Sequence, residues 1–215
     1  MDYGFVDCHC HISAREFEED VEDVILRTRQ AGVKTLIAVT EGVGEFSRVL
    51  QLQQRFPDLV SPCLGVHPLQ GGDEPQERQR SARLQDLDAA LPLIYKHRER
   101  LTAVGEIGLD FTPWCAPTQQ HRDDQMAVFV KQLDVAKELD LPVRDKLIAQ
   151  IPLDNICLET DSPALGPDDA HVRNEPCNIV LCCAYVAKIK GLSPQRVQFV
   201  TAQNASRLFF PGAVF

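Results

Sequence analysis

Apolar, β-branched runs alternate with helical patterns along this chain. Runs at residues 3–8, 35–40, 59–66 and 102–107 each end in a polar loop and predict strands. Between them, Val21, Val24, Ile25 and Thr28 recur at helical spacing within 18–31, and Phe46, Val49, Leu50 and Gln53 repeat the pattern, each helix ending near a breaker, Gly32 or Pro57. Residues 70–83, polar and carrying Gly71-Gly72 and Pro75, predict a loop. Thr118 caps a long helix with an expected apolar stripe of Met126, Phe129, Val130, Leu133 and Ala136. Leu141-Pro142-Val143 begins a fifth strand that gives way at once to a helical pattern at 144–149, and 155–159 forms the last strand. Helices follow at 179–189 and 194–200, the second with Ser193 as cap and Pro194 at its first position.

Such alternation predicts an α/β fold with a parallel sheet, of the TIM-type (β/α) barrel kind, but with about six strands where a closed barrel has eight. The 215 residues are expected to form a single domain, 1–215, lacking an internal segment between Val143 and Arg144. Composition narrows the function. With 22 basic and 31 acidic residues the net charge is −9, which disfavours a protein that coats nucleic acid through a broad basic surface and leaves phosphate chemistry to a bound cation. The eight cysteines are scattered and read as free thiols. The absence of a secretory signal or a run of roughly 18 apolar residues predicts an intracellular protein, in cytoplasm or nucleus, with no membrane association.

Four strand ends carry candidate chemistry. In Asp7-Cys8-His9-Cys10-His11 the two-residue period of a strand points His9 and His11 to one face, where they can hold a divalent cation. The competing readings are a histidine pair without metal and a structural zinc that also engages Cys8 and Cys10. Glu106, between glycines in Val104-Gly105-Glu106-Ile107-Gly108-Leu109-Asp110, can bridge metal ions or sit in a salt bridge with Arg or Lys. Glu159 and Asp161 are expected on one face of the last strand. Asp161 can bind metal and take a proton from water, with Glu159 supporting it from behind, although an Asp near Pro163 also suits a turn. His67, in Gly65-Val66-His67-Pro68, can hydrogen-bond a phosphate or be an ordinary polar neighbour. His97 and His121 are expected on the exposed surface, and nothing requires His171.

These elements, in this order, resemble the TatD family of metal-dependent deoxyribonucleases, in a form similar to its vertebrate TatD-domain members. The resemblance rests on DCHCH (7–11), GVHP (65–68), VGEIGLD (104–110), LETDSP (158–163), VRNEP (172–176) and TAQNASRLF (201–209), and runs over nearly the whole chain. It implies that His9 and His11 bind one metal, that Glu106 bridges, that Asp161 binds metal and orients the attacking water, and that His67 contacts phosphate. It implies two divalent cations, with zinc, magnesium and manganese undistinguished, DNA as substrate, and phosphodiester hydrolysis with the ions clamping the attacking and leaving oxygens. Two further family histidines, at the ends of strands five and six, have no counterpart after Val143. Two other functions remain compatible: a non-catalytic truncated form with a residual metal site, and a related metallohydrolase acting on amides or esters.

Overall fold

The computed structural model describes residues 4–71, 79–141, 152–166 and 173–211. The first helical pattern becomes α1 (Val21–Gln30), which buries Val24, Ile25 and Thr28 and ends before Gly32, whose φ of 84° suits glycine. It follows β1 (Phe5–Cys10) and precedes β2 (Val33–Ala38), α2 (Val43–Arg55) and β3 (Val60–Leu64). Then come β4 (Leu69–Gln70), β5 (Arg80–Ser81), α3 (Leu87–His97), β6 (Ala103–Val104), α4 (Gln119–Glu138), α5 (Ile179–Lys190) and α6 (Pro194–Phe209). Both expected caps are present: the Thr118 hydroxyl accepts from His121 N at 3.3 Å and the Ser193 hydroxyl from Arg196 N at 3.2 Å.

The chain divides into two compact units. The first comprises residues 1–38, 51–61 and 145–215. In it β1 pairs with β2 in parallel, Asp7 facing Leu36 and Cys10 facing Ala38, and β2 meets the start of β3 through Leu36 N and Leu59 O at 2.7 Å. Helix α6 packs on β1 and on α5. The buried Asn204 side chain donates to Leu153 O and Ile156 O at 2.8 and 2.7 Å, fixing the run that leads to Asp161.

A four-charge cluster closes this unit. Arg173 donates to both Asp20 oxygens at 2.7 and 2.6 Å and to Glu175 at 2.9 Å, while Arg27 grips Glu175 with two bonds of 2.7 and 2.8 Å. The Arg173 guanidinium also lies 4.8 Å from the Phe17 ring centroid.

In the second unit, residues 39–50 and 62–144, the end of β3 pairs in parallel with β6, Cys63 facing Ala103 and Leu64 facing Val104. Where 70–83 was expected to be a loop, its two ends pair as the antiparallel ladder β4–β5. The stripe expected on α4 is also displaced. Its buried residues are Gln125, Val128, Gln132, Val135 and Ala136, whereas Met126 and Val130 are exposed. Two buried glutamines override the apolar pattern because each satisfies backbone at a strand end: Gln132 accepts from Val66 N (2.8 Å) and donates to Val66 O (3.0 Å), and Gln125 does the same for Asp110 at 2.8 Å each.

Among the described residues, then, β1, β2 and the start of β3 run in parallel in the first unit, and the end of β3 and β6 run in parallel in the second. The fifth predicted strand, beyond Leu141, the helical pattern at 144–149 and the junction of Val143 with Arg144 lie outside the described residues, as does His171. No described helix is long and apolar enough to cross a membrane.

The Arg173 and Arg27 hydrogen bonds hold the Asp20 and Glu175 carboxyls below their ordinary values of 3.8 and 4.5. Both acids bind protons less readily folded than unfolded, so their stabilisation is complete above that range and is lost as the pH falls through it. The Glu175→Gln variant is expected to show a lower urea midpoint at pH 7 and a smaller further loss between pH 5 and pH 3 than the parent, measured by chemical denaturation across that range.

Candidate metal centre

Strand alternation sends the odd and even side chains of β1 to opposite faces. Cys8 and Cys10 are fully buried, their thiols directed at Val6 O and Ile37 O at 3.9 Å each, while His9 and His11 emerge together on the other face. The two Nε2 atoms lie 3.3 Å apart and the rings meet edge to face, with centroids 5.2 Å apart and planes at 66°. A structural zinc shared with Cys8 and Cys10 is therefore ruled out by direction: the thiols face the core.

The third member arrives from the far end of the sequence. Residues 155–159 were expected to form a strand, but the run is irregular. Cys8 N donates to Leu158 O (2.9 Å), Asp161 N to His9 O (2.9 Å) and His11 N to Ser162 O (2.7 Å), and between the first and second of these the spacing breaks. The break has a specific cause. Thr160 N donates not to β1 backbone but to the Asp7 carboxylate at 3.0 Å, and the Thr160 hydroxyl donates to the same carboxylate at 2.6 Å. Asp161 then adopts a left-handed backbone, φ 57°, a conformation that Asp tolerates better than most residues.

The turn brings Asp161 Oδ1 to 3.4 Å from His9 Nε2 and 3.5 Å from His11 Nε2. Among the described residues this trio is the group able to hold a metal ion. Its dimensions fit one. Ligands about 2.0–2.1 Å from a tetrahedral ion lie about 3.3–3.4 Å from each other, and the observed triangle measures 3.3, 3.4 and 3.5 Å. Two imidazole nitrogens and a carboxylate oxygen are also a donor set suited to a divalent cation.

Asp7 was noticed in the sequence only as part of a motif, yet it organises this centre. Its side chain is fully buried and accepts from Thr160 N, Thr160 Oγ1 and His9 N (3.2 Å), joining the strand that carries the histidines to the turn that carries Asp161. Burial pushes its carboxyl up to about 7 against the pull of those donors. Asn174 secures the other side of the turn, its amide donating to Thr160 O at 2.8 Å and its backbone N to Pro163 O at 3.0 Å. The one sequence signal for Asp7 was a carboxylate inside an otherwise apolar strand. The Glu159 charge adds to the upward push on Asp7 and on Cys182, whose thiol is raised chiefly by burial.

His67 and Glu106 sit together in the second unit, His67 Nε2 lying 3.8 Å from Glu106 Oε1. Among the described residues, His67 is a partner that Glu106 faces. His67 Nδ1 lies 3.2 Å from Leu69 N and 3.3 Å from Leu69 O, and its Nε2 faces Glu106. Gly65 is required here, because a Cβ would come within 2.7 Å of Glu106 O and Gly105 C. His97 and His121, expected to be exposed, are both half-buried, and His121 Nδ1 lies 2.7 Å from the Thr118 hydroxyl.

The model of the TatD related DNases matches residues 6–144 and 144–210. The chain belongs to the TatD family. The tatdn3 protein of Danio rerio is 46% identical over 265 residues, covering 97% of this chain and 98% of that protein, and human deoxyribonuclease TATDN3 is 40% identical over 262 residues, covering 96% and 94%. The 3'-5' ssDNA/RNA exonuclease TatD of Dickeya dadantii is 26% identical over 272 residues, covering 96% and 98%. Among solved structures, the TatD homologue YJJV of Escherichia coli superposes with a TM-score of 0.79 at 22% identity over 97% of this chain and 99% of that one, so the TIM-type α/β fold class holds. This chain is shorter than these relatives: an alignment of 265 residues exceeds its own 215.

The Asp7→Ala variant would leave three donors without their acceptor. It is expected to lose on the order of 3 kcal/mol of stability, read as a lower urea midpoint. A midpoint equal to the parent's would remove Asp7 from this role.

Proposed function

We propose that the chain is a metal-dependent phosphodiester hydrolase acting on DNA, with His9, His11 and Asp161 holding a divalent cation. The observation that carries this reading is the 3.3–3.5 Å triangle of Nε2, Nε2 and Oδ1 atoms. Family membership and the names of its relatives, a human deoxyribonuclease and a bacterial ssDNA/RNA exonuclease, supply the substrate class.

A divalent cation held there supplies Lewis acidity to a phosphoryl oxygen and acidifies water. The protein's own groups do the rest. Asp161 offers one oxygen to the triangle and has a second with which to take a proton from the attacking water. In the second unit, His67 would donate to a non-bridging phosphate oxygen, and Glu106, 3.8 Å from it, would be the further carboxylate available to a cation. Glu159 acts on the centre from behind, through Asp7.

The second cation implied by the family is weakly provided for. The chain's histidines are 9, 11, 67, 97, 121 and 171, so that only His171 follows Leu141 in the sequence. We take 1–215 as one metallohydrolase domain lacking a segment between Val143 and Arg144, a reading supported by a family match that runs in two stretches meeting at residue 144. The same loss favours, as a second reading, a form that binds metal without cleaving.

Elemental analysis of the purified chain, paired with cleavage of single-stranded DNA in zinc, magnesium or manganese, separates the two. One cation per chain is expected, with affinity falling by more than about 100-fold in His9→Ala, His11→Ala or Asp161→Ala and cleavage lost with it. Less than one cation per chain, together with cleavage indifferent to Asp161→Ala, would sink the catalytic assignment. Firm metal binding with no cleavage selects the second reading.

A further inference from the structure

The loop at 108–117, between β6 and α4, is held rigidly yet leaves its largest side chains in water. Gln125 clasps the backbone of Asp110 with two 2.8 Å bonds and donates to the Ser81 hydroxyl at 3.1 Å. The Asp110 carboxylate accepts from Thr112 N at 2.9 Å and from the Thr112 hydroxyl, Cys115 N and Ala116 N donate to Thr112 O at 3.0 and 2.9 Å, and Ser81 Oγ donates to Cys115 O at 2.9 Å. Cys115 and Ala116 are buried against Leu69. Between these anchors, Phe111 is 40% and Trp114 64% exposed, and the Arg122 guanidinium lies 5.9 Å from the Phe111 ring centroid.

Leaving large aromatic surface in water on a loop whose backbone is already fixed forgoes burial energy, and the ordering that a ligand would otherwise have to impose is already done. The loop also adjoins the proposed phosphate contact. It begins two residues after Glu106, which faces His67, and the His67 charge helps hold the Asp110 carboxyl below its ordinary value, after the larger effect of Thr112. A chain of net charge −9 cannot track a phosphate backbone with a basic surface. Stacking on nucleobases needs no charge, since every base has an aromatic face.

We infer that Phe111 and Trp114 form a stacking platform for unpaired nucleobases, positioning the strand whose phosphate reaches His67. This rests on the reading of DNA as substrate. Duplex DNA hides its base faces, so the platform engages single strands and frayed ends.

Trp114 is the chain's one tryptophan, so intrinsic fluorescence reports on it directly. The metal-replete chain would be titrated with cleavage-resistant phosphorothioate oligonucleotides: a twelve-residue oligothymidylate, an abasic strand of equal length, and a blunt duplex. Saturable quenching by the oligothymidylate alone is expected. By anisotropy of a labelled strand, Trp114→Ala should bind about 5- to 100-fold more weakly, while Trp114→Phe should retain most of the affinity. Equal quenching and affinity for the base-bearing and abasic strands would overturn the inference, as would the absence of any oligonucleotide binding, which would leave this face to a protein partner. Because binding is read without cleavage, failure of the nuclease reading would appear in the hydrolysis assay and not here.

Discussion

A carboxylate buried in the first strand governs the candidate metal centre. Asp7 sits among apolar neighbours where an ionised group is expensive, and it becomes tolerable only by collecting donors. Two of the three come from Thr160, 153 positions away in the sequence. In taking Thr160 N, the Asp7 side chain displaces the backbone bond that a regular strand would make, so the chain beyond Leu158 cannot continue as one. The irregular backbone, the left-handed Asp161 and the approach of its carboxylate to the two histidines follow from that substitution. The apparent defect in the last strand is what brings the Asp161 carboxylate to the two histidines.

The second unit solves a similar problem by different means. Its strand ends must also present side chains from irregular backbone, and here the unsatisfied N–H and C=O groups are met by two glutamines on one helix. Gln132 serves Val66, next to His67, and Gln125 serves Asp110, four residues beyond Glu106. A glutamine pairs with one residue's donor and acceptor together, as a neighbouring strand would. α4 therefore acts as a substitute sheet edge for the loops that carry chemistry, which explains why it buries polar residues while Met126 and Val130 remain in water.

Features that depend on local chemistry were legible in the sequence. The direction of His9 and His11 followed from strand periodicity, the starts of α4 and α6 from Thr118 and Ser193, and the end of α1 from Gly32. Features that depend on distant partners were not. Asp7 looked like one letter of a motif because Thr160 lies far along the chain. Residues 155–159 have strand composition, and nothing local reveals that a side chain from β1 interrupts their pairing. Gln125 and Gln132 stood outside the apolar stripe expected on α4, because nothing local shows the backbone groups they meet. The pairing of β4 with β5 was hidden for a related reason: two residues on each side carry no periodic signal.

The span between Asp7 and Thr160 also sets an order of events during synthesis. At about 5–20 residues per second, the ribosome releases the first strand roughly eight to thirty seconds before the turn that completes it. Through that interval the nascent chain carries two histidines and two cysteines within residues 8–11 but no Asp161 to join them. An ion meeting the emerging chain finds a softer, sulfur-containing set of donors than the finished protein presents. Closing the long loop turns Cys8 and Cys10 inward and brings a carboxylate in their place. Folding thus changes which metals residues 8–11 prefer, and the final choice of ion belongs to the completed chain.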